Sequence, residues 1–165
     1  EAIAMNLMPA RLKGQDLRGS ISRLQFASLA VRLYEAMGGE AISAPSYTPF
    51  TDTSDPEAGK AWALGLTAGT SATTFSPSQS ISREQAATML AAVYRKLGGS
   101  VEGQSGSFAD DSSIASWAKS SVYFMARHDI IVGTGNNRFS PQRSAQRQSC
   151  LIMALRMFQT LNPTD

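Results

Sequence analysis

Apolar residues recur at spacings of three and four in three separate stretches, and each stretch predicts one buried face of a helix. Phe26, Leu29, Ala30, Leu33 and Met37 form the first stripe, and Ala86, Met89, Leu90, Val93 and Leu97 form the second. Cys150, Met153, Ala154, Met157, Phe158 and Leu161 form the third, which reads Cys150, at the position of Ala86, as a small buried hydrophobe. Ser22 and Ser82 stand as N-caps with Gln25 and Gln85 three residues on, the capping-box arrangement. The third stretch has Gln146 at that place and Ser149 three residues later, so its helix is expected to be held by packing. Paired glycines after Met37 and Leu97 supply left-handed C-caps.

A shorter helix is expected ahead of each long one. Ile114, Trp117, Ala118, Val122 and Met125 trace its stripe in the third copy, and Asp55-Pro56-Glu57 marks its start in the second. Asn6, Gly65 and Asp129 fall at equivalent ends, each followed by an apolar residue (Leu7, Leu66, Ile130). The intervening turns repeat as well. Phe75-Ser76-Pro77 and Phe139-Ser140-Pro141 lie sixty-four residues apart, each preceded at six residues by Gly-Thr and followed at eight by an arginine. Ile21-Ser22-Arg23 matches Ile81-Ser82-Arg83 at an offset of sixty.

The expected organisation is therefore mainly α, with three tandem helix-loop-helix repeats. Repeat one covers residues 1–39 and is N-terminally incomplete, because the chain opens inside its first helix. Repeat two (50–99) is shorter by about six residues, and repeat three covers 108–162. Linkers fall at Glu40–Pro49 and Ser100–Ser107. Met5, Met8, Met153 and Met157 read as core filler.

Composition narrows the function classes. Charged residues are scarce and Ser, Ala, Thr and Gly abundant, which suits a neutral, extracellular, sugar-tolerant surface. A net charge of +2 with no basic run gives no reason to expect nucleic acid or an anionic membrane as partner. No apolar stretch approaches the length of a bilayer span, so membrane insertion is not expected. One cysteine allows neither an internal disulfide nor a cysteine metal site. The start at Glu1 reads as a processed form or an excised fragment.

The order Phe-x-Asp, tryptophan helix, glycine turn, Phe-x-Pro, Ile-Ser-Arg and apolar helix resembles the S-layer homology repeat. Phe108-Ala109-Asp110, Trp117, Gly133-Thr134-Gly135, Phe139-Ser140-Pro141 and Arg147 carry it in copy three. Phe50-Thr51-Asp52, Trp62, Gly69, Phe75-Ser76-Pro77 and Ile81-Ser82-Arg83-Glu84 carry it in copy two. Copy one keeps Ile21-Ser22-Arg23 and its helix. The resemblance implies a pseudo-threefold prism with grooves between repeats, and a non-catalytic, cofactor-free anchor on the cell surface of Gram-positive bacteria. It implies as ligand an anionic secondary cell-wall polysaccharide, often carrying a pyruvate ketal. The family's Thr-Arg-Ala-Glu motif keeps its arginine in all three copies here and loses its acid in all three.

The candidate ligand contacts are Arg23, Arg83 and Arg147 with Asp52, Asp110, Gly69, Gly133, Gly135, Trp117 and Glu84. Each arginine falls in a first helical turn, where free N–H groups and the helix dipole favour a carboxylate, and its planar fork adds two more donors. The alternative is that each arginine pairs with its own Asp52 or Asp110. Trp117 suits a sugar face, but its spacing with Ile114 and Ala118 favours the core, as for Trp62. The glycines read as tight turns whose backbone can approach a ligand. Asp110-Asp111 reads as a helix cap rather than a calcium pair, and His128 as a C-terminal cap. A glycan hydrolase would need two carboxylates across a cleft, and Glu84, its best candidate, reads as a first-turn acid. A structural or assembly module that keeps the fold without binding glycan is the other reading.

Overall fold

The computed structural model describes residues 7–103 and 105–161, so expectations for Met5 and Asn6 lie outside the described residues. Five α-helices occur among them: α1 (Arg23–Ala36), α2 (Pro56–Ala63), α3 (Arg83–Lys96), α4 (Lys119–Arg127) and α5 (Arg147–Leu161). Short 3-10 turns at Ala10–Leu12, Asp111–Ser113 and Ser116–Ala118 complete the regular structure. Among the described residues β-pairing is confined to isolated bridges.

The end signals form as the sequence predicts. Ser22 and Ser82 accept from the N–H of Gln25 and Gln85, whose side chains accept from the cap N–H in return. α1 and α3 close on Gly38 and Gly98 at φ 99° and 98°. Gly39 and Gly99 then donate to the carbonyls of Tyr34 and Tyr94, as in a Schellman motif. Asp55 caps α2 through the N–H of Glu57, with Pro56 at the first position. The shorter helix of copy three departs from expectation. Its stripe is interrupted by the Ser116–Ala118 3-10 turn, and α4 proper starts at Lys119.

The three long helices α1, α3 and α5 pack on one another, and the short helices of copies two and three pack on the long helix of the preceding copy: α2 on α1, and α4 on α3. Three backbone hydrogen bonds close a ring at the centre. Ile21 N–H donates to the Ala145 carbonyl, Ala145 to Ile81, and Ile81 back to Ile21. Antiparallel bridges Ser20–Gln146, Ser22–Ser80 and Ser82–Ser144 flank this ring. The architecture is a pseudo-threefold arrangement of helix-loop-helix units around one core. Leu7, Leu66 and Ile130, the apolar residues at equivalent positions of the three copies, are all buried in it.

Candidate functional site

The joints between copies explain where the arginines go. Within copy two, Asp52 accepts the N–H groups of Phe75 and Ser76 at 2.9 and 2.8 Å. Within copy three, Asp110 accepts those of Phe139 and Ser140 at the same two distances. The N–H groups of Phe75 and then Ser76 hold the Asp52 carboxyl below its ordinary range. Burial pushes Asp110 up, but its two N–H donors outweigh burial and leave it lowered too. The serines sit in the left-handed region, at φ 58° and 59°, and their hydroxyls meet Thr70 and Thr134 at 2.6 Å. Each Phe-Ser-Pro turn is thus fastened to its own Phe-x-Asp segment.

The arginine on each turn comes from the copy before. Arg23 Nε donates to the Phe75 carbonyl at 2.8 Å and its Nη2 to Thr67 Oγ1 at 3.2 Å. Arg83 Nε donates to the Phe139 carbonyl at 2.9 Å and its Nη2 to the Val132 carbonyl. Each guanidinium also lies over the phenylalanine ring, 5.3 and 4.9 Å from its centroid. Arg23 and Arg83 are 6% and 9% exposed, and burial lowers both pKa values while leaving the groups cationic. Arg147 closes the ring differently, reaching the Asp16 carbonyl and Gln25 Oε1 of copy one. Neither pairing of an arginine with its own Asp52 or Asp110 occurs, because those carboxylates are occupied by turn N–H groups.

The expected free N–H groups are occupied as well. Arg23 and Leu24 donate to Gln79 and Pro77 carbonyls, and Arg83 and Glu84 to those of Arg143 and Pro141. Arg147 and Gln148 donate to Gly19 and Leu17, and in α1 and α3 the third N–H goes to the cap serine. The helix starts are therefore sutures between copies rather than open anion sites. Glu84 is buried, and its Oε1 accepts the Ala115 N–H of copy three.

One groove of about 650 Å³ gathers several candidates. Arg23 and Gly69 lie along it with Thr67, Thr70 and Arg95, and both tryptophans face it. Trp117 is 59% exposed, which corrects its expected place in the core. It sits in the Ser116–Ala118 3-10 turn, whose tighter winding rotates it off the stripe that Ala118, Val122 and Met125 continue inward. Trp62 is half-buried, edge-on to Tyr47 and Phe50 at 6.1 and 6.5 Å. It stands at the C-terminal end of α2, whereas Trp117 precedes α4, so the two are convergent in space and not equivalent in the repeat.

Gly69 needs its hydrogen: φ is +86°, and a Cβ would lie 2.5 Å from the Thr74 carbonyl oxygen. Gly133 is constrained similarly by the Arg138 carbonyl, and Gly135 opens a turn through Asn136 and Asn137 at positive φ. Asp111 does not cap a helix: it accepts from Lys119 and the Tyr123 hydroxyl. His128 ends α4, and its ring lies tilted by 50° against that of Phe124 with centroids 4.5 Å apart. Sequence reasoning missed Arg95, Thr67 and Thr70 as groove residues and favoured the core for Trp62. Repeat spacing could have pointed to Thr70, which recurs as Thr134, but not to Thr67, whose counterpart is Ile131.

Among the described residues, no cluster of three or more His, Cys, Asp or Glu side chains is arranged to hold a metal, and no helix is long and apolar enough to cross a membrane. The sequence profile of the S-layer homology domain matches residues 49–87 and 107–148. An endoglucanase of Bacillus sp. (strain KSM-635) is 28% identical over 157 residues, covering 91% of this chain and 16% of that protein. A surface-layer 125 kDa protein of Lysinibacillus sphaericus is 29% identical over 103 residues, covering 61% of this chain and 8% of that protein. The chain thus spans a small part of either relative. With two profile matches falling on copies whose turns, joints and helices coincide, residues 49–87 and 107–148 are S-layer homology repeats.

Proposed function

We propose that this chain is a non-catalytic anchoring module at a bacterial cell surface, and that it binds an anionic secondary cell-wall polysaccharide in the groove beside Trp62 and Trp117. The observation that carries the reading is the composition of that groove. Two indole rings offer faces for sugar rings, threonine hydroxyls offer hydrogen bonds, and Arg23 and Arg95 supply positive charge. Arg95 is paired with Glu102 at 3.0 Å, but that pair is exposed and weak enough to yield to a ligand carboxylate. Among the described residues no Asp or Glu lines the groove, which speaks against glycoside hydrolysis there. The segment is also shared by proteins named as an endoglucanase and as a surface-layer protein, covering 16% of one and 8% of the other. A part common to both is more readily an anchor than a catalytic centre.

Sedimentation with purified Gram-positive walls tests this. Wild type is expected to co-sediment, and walls stripped of secondary polysaccharide are expected to lose it. Trp117→Ala should weaken retention about tenfold, or ~1.4 kcal/mol, with unchanged helical content. A stable oligomer with no wall affinity would instead favour the structural or assembly reading.

A further inference from the structure

The turn and long helix of copies two and three are related by a fixed offset of sixty-four residues, so the groove beside α3 has a counterpart beside α5. The two are lined by equivalent positions and differ in chemistry. Thr67, Ala68, Thr88 and Ala92 in the first become Ile131, Val132, Ile152 and Arg156 in the second. Trp62 becomes Ala126. Where Arg23 Nη2 meets the hydroxyl of Thr67, Arg83 Nη2 meets the main-chain carbonyl of Val132.

The space differs accordingly. The first groove holds about 650 Å³. The second is divided into two hollows of about 210 and 280 Å³, both touching Arg83 and Ser149. Ligand pockets typically run from about 300 to 1,000 Å³, a range that includes the first groove and excludes each hollow. A sugar laid against Ile131, Val132 and Ile152 would also lose water from its hydroxyls without gaining partners, at about 1–3 kcal/mol for each stranded group. In copy one the residue at the Thr88 position is Ser28, which is fully buried, and Arg32 stands at the Ala92 position.

We infer that the module holds one glycan at one groove, and that Thr88 and Ala92 open that groove while Ile152 and Arg156 close its counterpart. The inference rests on the proposed glycan reading and adds its stoichiometry and the residues that set it.

Calorimetric titration of the whole chain with a methyl hexosaminide bearing a 4,6-pyruvate ketal, alongside wall sedimentation, provides the test. One equivalent of the glycoside is expected for wild type. Thr88→Ile with Ala92→Arg should lower both glycoside binding and wall retention at least about tenfold. Ile152→Thr with Arg156→Ala, both exposed positions, should keep wild-type retention. Should the first pair misfold, Thr88→Ile alone, judged by an unchanged melting curve, replaces it. Two equivalents bound by wild type, or retention lost with the α5 pair and kept with the α3 pair, would overturn the one-groove assignment alone. Wild type that binds neither walls nor glycoside would overturn the glycan reading together with it.

Discussion

The joint between copies two and three and the joint between copies three and one do the same job with different parts. Both are sewn by two main-chain N–H groups at the start of a long helix, donated to carbonyls of a turn in the next copy. Only the first adds a buried layer, in which Arg83 grips the Phe139 carbonyl and covers its ring while Phe108 packs beneath at 5.5 Å. At the other joint Gln15-Asp16-Leu17 replaces Phe-Ser-Pro, and Arg147 is half-exposed on the Asp16 carbonyl. Backbone pairing, common to both joints, therefore sets the threefold geometry. The aromatic and arginine layer adds stability where it is present and is not needed for closure.

Breaking the layered joint should give the largest effect. Arg83→Ala leaves two carbonyls of copy three without their donor, and is expected to cost ~3 kcal/mol. That corresponds to a melting temperature lower by roughly 6–12 °C for a domain of this size. Arg83→Lys should recover only part, because a single ammonium cannot serve both carbonyls in the same plane.

Acid acts on the same turns from the other side. Asp52 and Asp110 both titrate below the ordinary aspartate value of about 3.9 in the folded state. Their stabilising contribution is therefore complete above about pH 4 and is lost as pH falls through the lower folded values. Thermal melts between pH 6 and pH 2.5 should show a midpoint that drops below about pH 4, and Asp110→Asn should flatten that drop. Arg147→Ala should cost less than the Arg83 change, ~1 kcal/mol, because its bonds are part-exposed and water replaces it. If the two arginine variants destabilise equally, the distinction between joints fails.

The smallest effect concerns Cys150, whose thiol is fully buried and pushed up to about 12 by burial, despite the opposing pull of Arg83. No reaction with Ellman's reagent is expected from the folded chain at pH 8, and full reaction in denaturant.

Much of this architecture was legible in the residues. The three stripes, the two capping boxes, the glycine ends and the Asp55-Pro56 start all depend on neighbours within one helical turn, and all formed as read. The partners of the arginines were not legible. Periodicity fixes a residue's phase within its own copy and says nothing about which copy supplies the facing turn. The same limit hid the occupied N–H groups of the long helices, whose acceptors lie more than fifty residues away in α1 and α3. Trp117 was misplaced for a local reason, since a 3-10 turn breaks the 3.6-residue phase on which its burial was inferred. The groove itself needed two non-equivalent tryptophans from different copies to meet, which only the packing of short helix on preceding long helix reveals.

Labour is divided between two places in the molecule: buried arginines join the copies, and the tryptophan-lined groove is the proposed wall site. The most direct measurement pairs melting temperature with wall sedimentation for Arg83→Ala and Trp117→Ala, at a temperature where both variants are folded. Arg83→Ala should melt several degrees lower and still sediment with walls like wild type, while Trp117→Ala should melt like wild type and be retained about tenfold more weakly. The opposite pattern, with Arg83→Ala stable but released and Trp117→Ala retained, would contradict the account.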